Sequence, residues 1–175
     1  NLGSFKNILG TFNPPKHIWI FPNFLKTLDK KDLQSGIGEI IKVHAIQGIE
    51  AFNQIKEDFD NLILDHELLL VYIQKALKIK KHYIEIDEHD KGIRNIFNYG
   101  HSFGHAIESA TEFAIPHGVA VSIGMDMTNH ISVMHGLLPE KLCKNMHYVL
   151  RKNYEDFKNV SIPTEKLLMA LRKDK

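Results

Sequence analysis

The chain has 175 residues, 43% hydrophobic and 25% charged, with a formal net charge of +1. That is enough chain for one well-packed domain of ordinary globular composition. The balanced charge gives no electrostatic ground for a nucleic-acid partner or an acidic membrane surface, and no apolar run approaches the roughly 20 residues of a membrane span. The single cysteine, Cys143, excludes an internal disulfide and reads as a helix-packing residue in a reducing, cytoplasmic compartment. The N-terminus lacks the charged, apolar and small-residue regions of a signal peptide. With no initiator methionine and the ending LRKDK, the chain is expected to be a fragment of a longer protein.

Residues 1–22 are not helical in character, being rich in glycine, asparagine and proline. Within them KHIWIFP gives a short β-prone run at 18–21, and Lys6 and Asn7 beside Gly10 suit either a plain surface loop or part of an anion-binding one. From Phe24 onward the pattern is almost wholly helical, so the one boundary falls near Pro22. In LQSGIGEIIKVHAI, Glu39 and Lys42 stand three apart and share a face amid Ile37, Ile40, Ile41 and Val43. Two readings stand: an ion pair on a solvated face, or a partly buried carboxylate that wants a partner or a metal.

IEAFNQIKEDFDN reads as an amphipathic helix without chemistry. A long helix is expected at roughly 65–86 with Asp65 as its N-cap. Its Lys75, Lys78, Lys80 and Lys81 form a basic face that is solvated, unless one of them turns inward. EIDEHDKG closes that helix.

The stretch 92–125, GIRNIFNYGHSFGHAIESATEFAIPHGVAVSIGM, is expected to form two helices joined by a short break. The first covers about 92–110, with Ile96, Phe97, Phe103 and Ile107 as its apolar stripe. Arg94, Asn98, His101 and His105 follow one another at steps of four, three and four, hence on one face. Pro116 favours a second helix start with His117 in its first turn, and a short reversal brings His117 back towards His101. Spacing alone makes His101 and His105 both metal ligands, although a chain with 11 histidines also produces such pairs by chance. His82, His89, His130, His135 and His147 carry no such pattern. Gly100, Gly104 and Gly118 sit near the histidines at a cost of about 1 kcal/mol each in a helix, which suggests close approach by something. Thr128 to Leu138, a capped helix at about 139–152 and PTEKLLMALRKDK complete the chain. Met125, Met127 and Met134 are expected in the core.

These residues resemble a known family. GIRNIFNYGHSFGHAIE followed by PHGVAVSIGM is similar to the signature of the 3-dehydroquinate synthases and the related sugar phosphate cyclases. FKNILGTFNPPKHIWIFPNFLKTL resembles the family's GKN-x-x-G-x-F-x-x-P loop and following strand, and SGIGEIIK its SG-x-AE-x-x-K helix. KKHYIEIDEHDKGIR and the terminal DK resemble two further runs, so nearly the whole chain is covered in the family's order. The fold implied is mainly α: residues 23–175 as the all-helical metal- and substrate-binding C-terminal domain of a dehydroquinate synthase-like fold. Residues 1–22 would be a loop-strand remnant, the tail end of an α/β NAD-binding N-terminal domain.

The resemblance implies roles position by position. Glu39, His101 and His117 match three ligands of a catalytic divalent metal, Zn2+ or Co2+, and His105 matches a substrate-contacting histidine near the phosphate. Lys42, Lys80, Arg94 and Asn98 match residues that hold the substrate's carboxylate and hydroxyls. Asp90 stands where the family has a glutamate facing the site, and Asn7 and Lys175 match phosphate-pocket residues. The implied reaction is the NAD-dependent conversion of 3-deoxy-arabino-heptulosonate 7-phosphate to 3-dehydroquinate in the shikimate pathway. It proceeds by transient oxidation, phosphate elimination, reduction, ring opening and aldol closure.

A homodimer is implied, whereas the NAD site lies mostly in a nucleotide-binding half that these residues do not include. The isolated chain is therefore expected to be inactive. Phe5, Asp90 and Ser102 depart from the family's glycine, glutamate and threonine. Retention of Asn98, His101 and His105 favours the dehydroquinate branch over a sibling cyclase acting on another keto-sugar phosphate. A glycerol-type metal-dependent alcohol dehydrogenase has less reason to gather Arg94, Lys80 and Lys42, because its substrate is uncharged. A phosphohydrolase reading rests only on the His89–Asp90 dipeptide. A fragment that folds and binds metal without activity is the non-enzymatic alternative.

Overall fold

Helix α1, Lys30–Gln47, is the element that the others surround. The computed structural model describes residues 16–173, and among them are seven α-helices joined by 3-10 turns and loops, with no strand. Around α1 pack α2 (Ile49–Asp58), α3 (His66–Ile86), α5 (His117–Met134) and α6 (Glu140–Tyr154). Helix α4 (His101–Ala110) lies along α5, and α7 (Thr164–Leu171) closes against α4.

The local signals explain the starts. Asp29 caps α1 by accepting from the Asp32 N–H, and Asp65 caps α3 by accepting from the Glu67 and Leu68 N–H groups. Pro116, Pro139 and Pro163 each stand directly before a helix. The main core joins Ile37 and Ile41 of α1 to Phe52 and Ile55 of α2, Leu69 and Tyr72 of α3, Met125 of α5 and Leu150 of α6. A second cluster, Ile107, Ile115, Val119 and Ala120, seals α4 to α5 under Ile162 and Leu167. The first turns of α1 keep Lys30, Lys31, Asp32 and Gly36 exposed, but over 37–44 the helix is covered from several sides, so Lys42 and His44 are both buried.

Three expectations change. The helix over 92–110 is broken: Ile93–Asn98 is a 3-10 turn, and α4 begins only at His101. Gly100 between them takes φ 76°, a left-handed conformation that ends one helical path and starts another. The run at 18–21 forms no strand. Its Trp19 is 91% exposed, and among the described residues no other strand supplies the pairing it would need. Helix α5 runs on past Met125 as far as Met134. Met134, at its end, is 74% exposed instead of buried, whereas Met125 is fully enclosed.

The glycines explain how tightly the helices cross. A Cβ on Gly118 would lie 1.8 Å from the Ser35 carbonyl oxygen, and one on Gly38 would lie 2.1 Å from the Gly118 carbonyl oxygen. Between α4 and α5, a Cβ on Gly124 would lie 2.1 Å from the Gly100 carbonyl oxygen. What approaches these glycines is therefore neighbouring backbone. The Gly118 N–H also donates to Ser35 Oγ at 2.9 Å, fixing the register of α5 on α1.

Gly118→Ala is expected to lower stability by about 3 kcal/mol, because backbone on both sides must move apart. Gly36→Ala on the same α1, in open space, is expected to raise it by roughly 0.5–1 kcal/mol. Urea unfolding of the two variants checks the contrast, and equal stabilities would refute the close crossing.

His44 supplies a pH prediction. Its Nδ1 faces the Ile40 carbonyl at 2.8 Å, its ring packs on Tyr72 at 5.2 Å, and its Nε2 is buried without a hydrogen-bond partner. Burial, joined by the charge of Lys75 and opposed by the Ile40 carbonyl, lowers its pKa below the ordinary 6.5. The unfolded chain thus binds a proton more readily than the folded one, so stability holds above pH 6.5 and falls as pH drops below it. His44→Leu should flatten the decline in unfolding temperature between pH 7 and 5. An unchanged slope would show that His44 does not carry it.

Candidate metal centre

Three helices deliver the polar cluster. Glu39 comes from α1 next to Gly38, His117 from the first turn of α5 next to Gly118, and His101 from the first turn of α4 next to Gly100. The close crossings at those glycines set their side chains facing one another. Glu39 Oε1 lies 3.4 Å from His117 Nε2 and 3.8 Å from His101 Nε2. His105, one turn along α4, joins them: its ring centroid is 5.1 Å from that of His101 and 5.7 Å from that of His117. Each of the three imidazoles offers a nitrogen within 4.8 Å of those of the other two.

The rings are oriented from behind. His117 Nδ1 lies 2.9 Å from Glu108 Oε2, and His101 Nδ1 lies 3.3 Å from the Tyr99 carbonyl oxygen. A ring nitrogen that donates to a carbonyl or carboxylate leaves the other nitrogen's lone pair for a cation. In both rings that other nitrogen is the Nε2 facing Glu39. Glu39 Oε1 is itself buried with no hydrogen-bond partner. Two imidazole nitrogens and a carboxylate oxygen turned toward one space suit a borderline divalent cation such as Zn2+ or Co2+. The residues present fit the metal.

Lys42 completes the charge pattern. Its side chain is 3% exposed, and its Nζ donates to Glu39 Oε2 at 2.9 Å and approaches His101 Nε2 at 3.3 Å. Of the two readings the sequence allowed, the partly buried carboxylate is the one found, and its ion pair with Lys42 lies inside the cluster and not on a solvated face. Burial raises the Glu39 pKa, but the contacts with His117 and Lys42 outweigh it and hold the carboxyl at about 2. Burial and the nearby Lys42 charge push His101 down to about 4, so it is neutral at pH 7. The Glu108 and Glu39 carboxylates raise His117 to about 9. Burial holds Lys42 below the usual lysine range against the pull of Glu39, and the Lys80 charge adds to the lowering.

The remaining candidates are spread around this cluster. Lys80 is half-buried over the Phe97 ring at 5.9 Å, and shares with Glu39 the lining of a mainly apolar cavity of about 210 Å³ between α1 and α3. Arg94 donates through Nη1 to the carbonyls of Asp87 at 3.1 Å and Glu88 at 2.7 Å, bracing the loop that follows α3. Asp90, at φ 54°, is exposed on that loop, with its carboxylate 4.0 Å from Arg94 Nε. Asn98 is exposed and donates to Asn95 at 3.5 Å. The break at Gly100 takes Arg94 and Asn98 off the helical stripe of His101 and His105. Lys6, Asn7, Gly10 and Lys175, with the Phe5 departure, lie outside the described residues.

The sequence reading missed Glu108. It was legible in principle: Glu108 follows His105 by three residues and His101 by seven, so a helix puts it on the histidine face. The Tyr99 carbonyl and Ser35 Oγ carried no such signal, because both act through a local turn or a helix crossing.

Comparison with known proteins agrees with this architecture. Residues 36–175 match the family model described as 3-dehydroquinate synthase C-terminal. The chain is 38% identical over 164 residues to a 3-dehydroquinate synthase of Prochlorococcus marinus (strain MIT 9215), covering 91% of this chain and 43% of that protein. It is 38% identical over 167 residues to one from Clostridium tetani (strain Massachusetts / E88), with 94% and 43% covered. The chain thus spans less than half the length of these relatives. Among solved structures it resembles 2-epi-5-epi-valiolone synthase from Streptomyces hygroscopicus subsp. jinggangensis 5008 with NAD+ and Zn2+ bound. The TM-score is 0.77 at 26% identity, over 95% of this chain and 47% of that one. The helical bundle, the histidine–carboxylate cluster and the extent of the match agree: this chain belongs to the 3-dehydroquinate synthase family, as its C-terminal portion.

Proposed function

We propose that this chain is the metal- and substrate-binding part of a 3-dehydroquinate synthase. The complete protein would be a lyase converting 3-deoxy-arabino-heptulosonate 7-phosphate to 3-dehydroquinate with elimination of phosphate, in the shikimate route to aromatic amino acids. The observation that carries this reading is the buried, hydrogen-bond-free Glu39 Oε1 turned toward His101 and His117, with a buried ammonium beside it. Glu39, His101 and His117 would hold Zn2+ or Co2+, which supplies Lewis-acid polarisation of a substrate hydroxyl, while NAD supplies reversible hydride uptake.

The chain's own residues set the rest. Lys42, kept from water, attracts an anionic or hydroxyl-bearing substrate more strongly than a solvated lysine does. His105 stands beside the ligating rings, where its imidazole contacts substrate near the phosphate and takes or gives a proton. Lys80, Arg94, Asn98 and Asp90 hold the substrate carboxylate and hydroxyls. For Arg94, a substrate carboxylate competes with the Asp87 and Glu88 carbonyls. Asn7 and Lys175 complete the phosphate pocket. NAD is bound mainly by sequence outside this chain, so the chain alone is inactive. The complete protein is a cytoplasmic homodimer under this proposal.

A second reading, a sibling cyclase acting on another keto-sugar phosphate, draws on the likeness to the valiolone synthase and on Asp90 in place of glutamate. A glycerol-type dehydrogenase is disfavoured, since an uncharged substrate gives no reason to bury Lys42 beside the ligands.

The deciding assay supplies the complete protein with 3-deoxy-arabino-heptulosonate 7-phosphate, NAD and Zn2+, and follows phosphate and dehydroquinate. Product is expected, with loss of at least ~100-fold on chelation or in His117→Ala. Turnover of sedoheptulose 7-phosphate instead would move the protein to the sibling cyclases.

Metal binding should also depend on pH with a defined sign. Without metal, His117 is protonated at pH 7, and its charged contacts stabilise the fold fully below pH 6.5. That contribution is lost as pH rises through about 9. Ligation through Nε2 expels the proton, so calorimetry in buffers of different ionisation enthalpy should show about one proton released at pH 7. Zero release would mean that His117 is not a ligand.

A further inference from the structure

The metal reading proposed above leaves Glu108 without a role. Glu108 is a buried carboxylate on α4, 9 residues before His117 in sequence and on the far side of its ring from Glu39. Its Oε2 lies 2.9 Å from His117 Nδ1, and its side chain is 10% exposed against 40% for His117. The backbone holds it there: the Phe113 N–H donates to the Glu108 carbonyl at 2.8 Å across the α4–α5 reversal. Glu112 and Phe113 take left-handed φ values of 53° and 64° in that reversal. Without such a partner, His117 in the first turn of α5 is free to swing about its side-chain torsions, and either nitrogen can face Glu39.

We propose that Glu108 is the positioning residue of the metal centre: it fixes the His117 ring and its Nδ1–H tautomer, and so presents the Nε2 lone pair to the cation. The arrangement is carboxylate–histidine–cation, with Glu39 and Glu108 on opposite edges of one imidazole. His101 is held more weakly in the same way, by the Tyr99 carbonyl at 3.3 Å. The weight of the orientation therefore falls on Glu108. This inference rests on the metal reading, and its test separates the two.

The test uses the complete protein, stripped of metal and titrated with Co2+ and Zn2+, for the parent, Glu108→Gln, Glu108→Ala and His117→Ala. Affinities, Co2+ visible spectra and the metal-free unfolding temperature are recorded. Glu108→Ala is expected to weaken metal binding about 10- to 100-fold. Glu108→Gln, whose amide oxygen still accepts from Nδ1–H, should recover part of that loss and show a shifted Co2+ spectrum. The metal-free unfolding temperature of Glu108→Gln should fall no further than that of His117→Ala, which loses the same contact; a larger fall would mark a merely structural part and overturn the positioning role. Parent affinity and spectrum in both Glu108 variants, with binding lost in His117→Ala, would overturn the role of Glu108 and leave the metal site standing. No metal uptake by the parent, or uptake indifferent to His117→Ala, would overturn the metal reading and this inference together.

Discussion

Backbone contact between helices is the constraint from which the site follows. At Gly38 and Gly118, α1 and α5 approach more closely than any side chain would allow, and Gly100 and Gly124 do the same for α4 and α5. Each crossing lies beside a residue of the cluster: Glu39 follows Gly38, His117 precedes Gly118, and His101 follows Gly100. Helix axes are ordinarily 8–10 Å apart because side chains hold them there. Removing those side chains at the crossings lets short imidazole and carboxylate groups from three helices meet. The glycines cost helix stability, and the two hydrophobic clusters on either side offset it.

Electrostatics then organises what the packing has brought together. Two carboxylates, Glu39 and Glu108, flank one imidazole, and a buried ammonium, Lys42, faces both Glu39 and a second imidazole. The environments drive the two rings apart in basicity: His101 is pushed down to about 4 by burial and Lys42, and His117 up to about 9 by its carboxylates. Under the proposed metal reading, one ring would ligate as it stands and the other would first give up a proton. Such divergence of like groups in one cleft is typical of a site shaped for chemistry.

The periphery is built differently. Arg94 braces the loop after α3 through main-chain carbonyls, and Asp90 and Asn98 sit exposed nearby. Lys80 borders an apolar cavity against α1. The interior of the cluster is therefore fixed by helix packing, whereas its rim is made of loop residues and long flexible side chains. That division gives a rigid centre with an adaptable rim.

Much of this was written into the sequence. Helical periodicity, Asp65 as a cap and the prolines at helix starts gave the helical body. The spacing of His101 and His105 with His117 after Pro116 marked the cluster, because helical geometry is local and repeats every 3.6 residues. Glu108 lay on the same face and could have been included. Other features depended on contacts distant in the chain. Whether Glu39 was solvated or buried, and whether Gly100 interrupted the 92–110 helix, turned on what packed against them. An extended run at 18–21 needed a partner strand that composition alone cannot supply. Sequence by itself determined the helices and which residue types could ligate. Tertiary structure decided which of them face one another, because only the glycine crossings set three helices at contact distance.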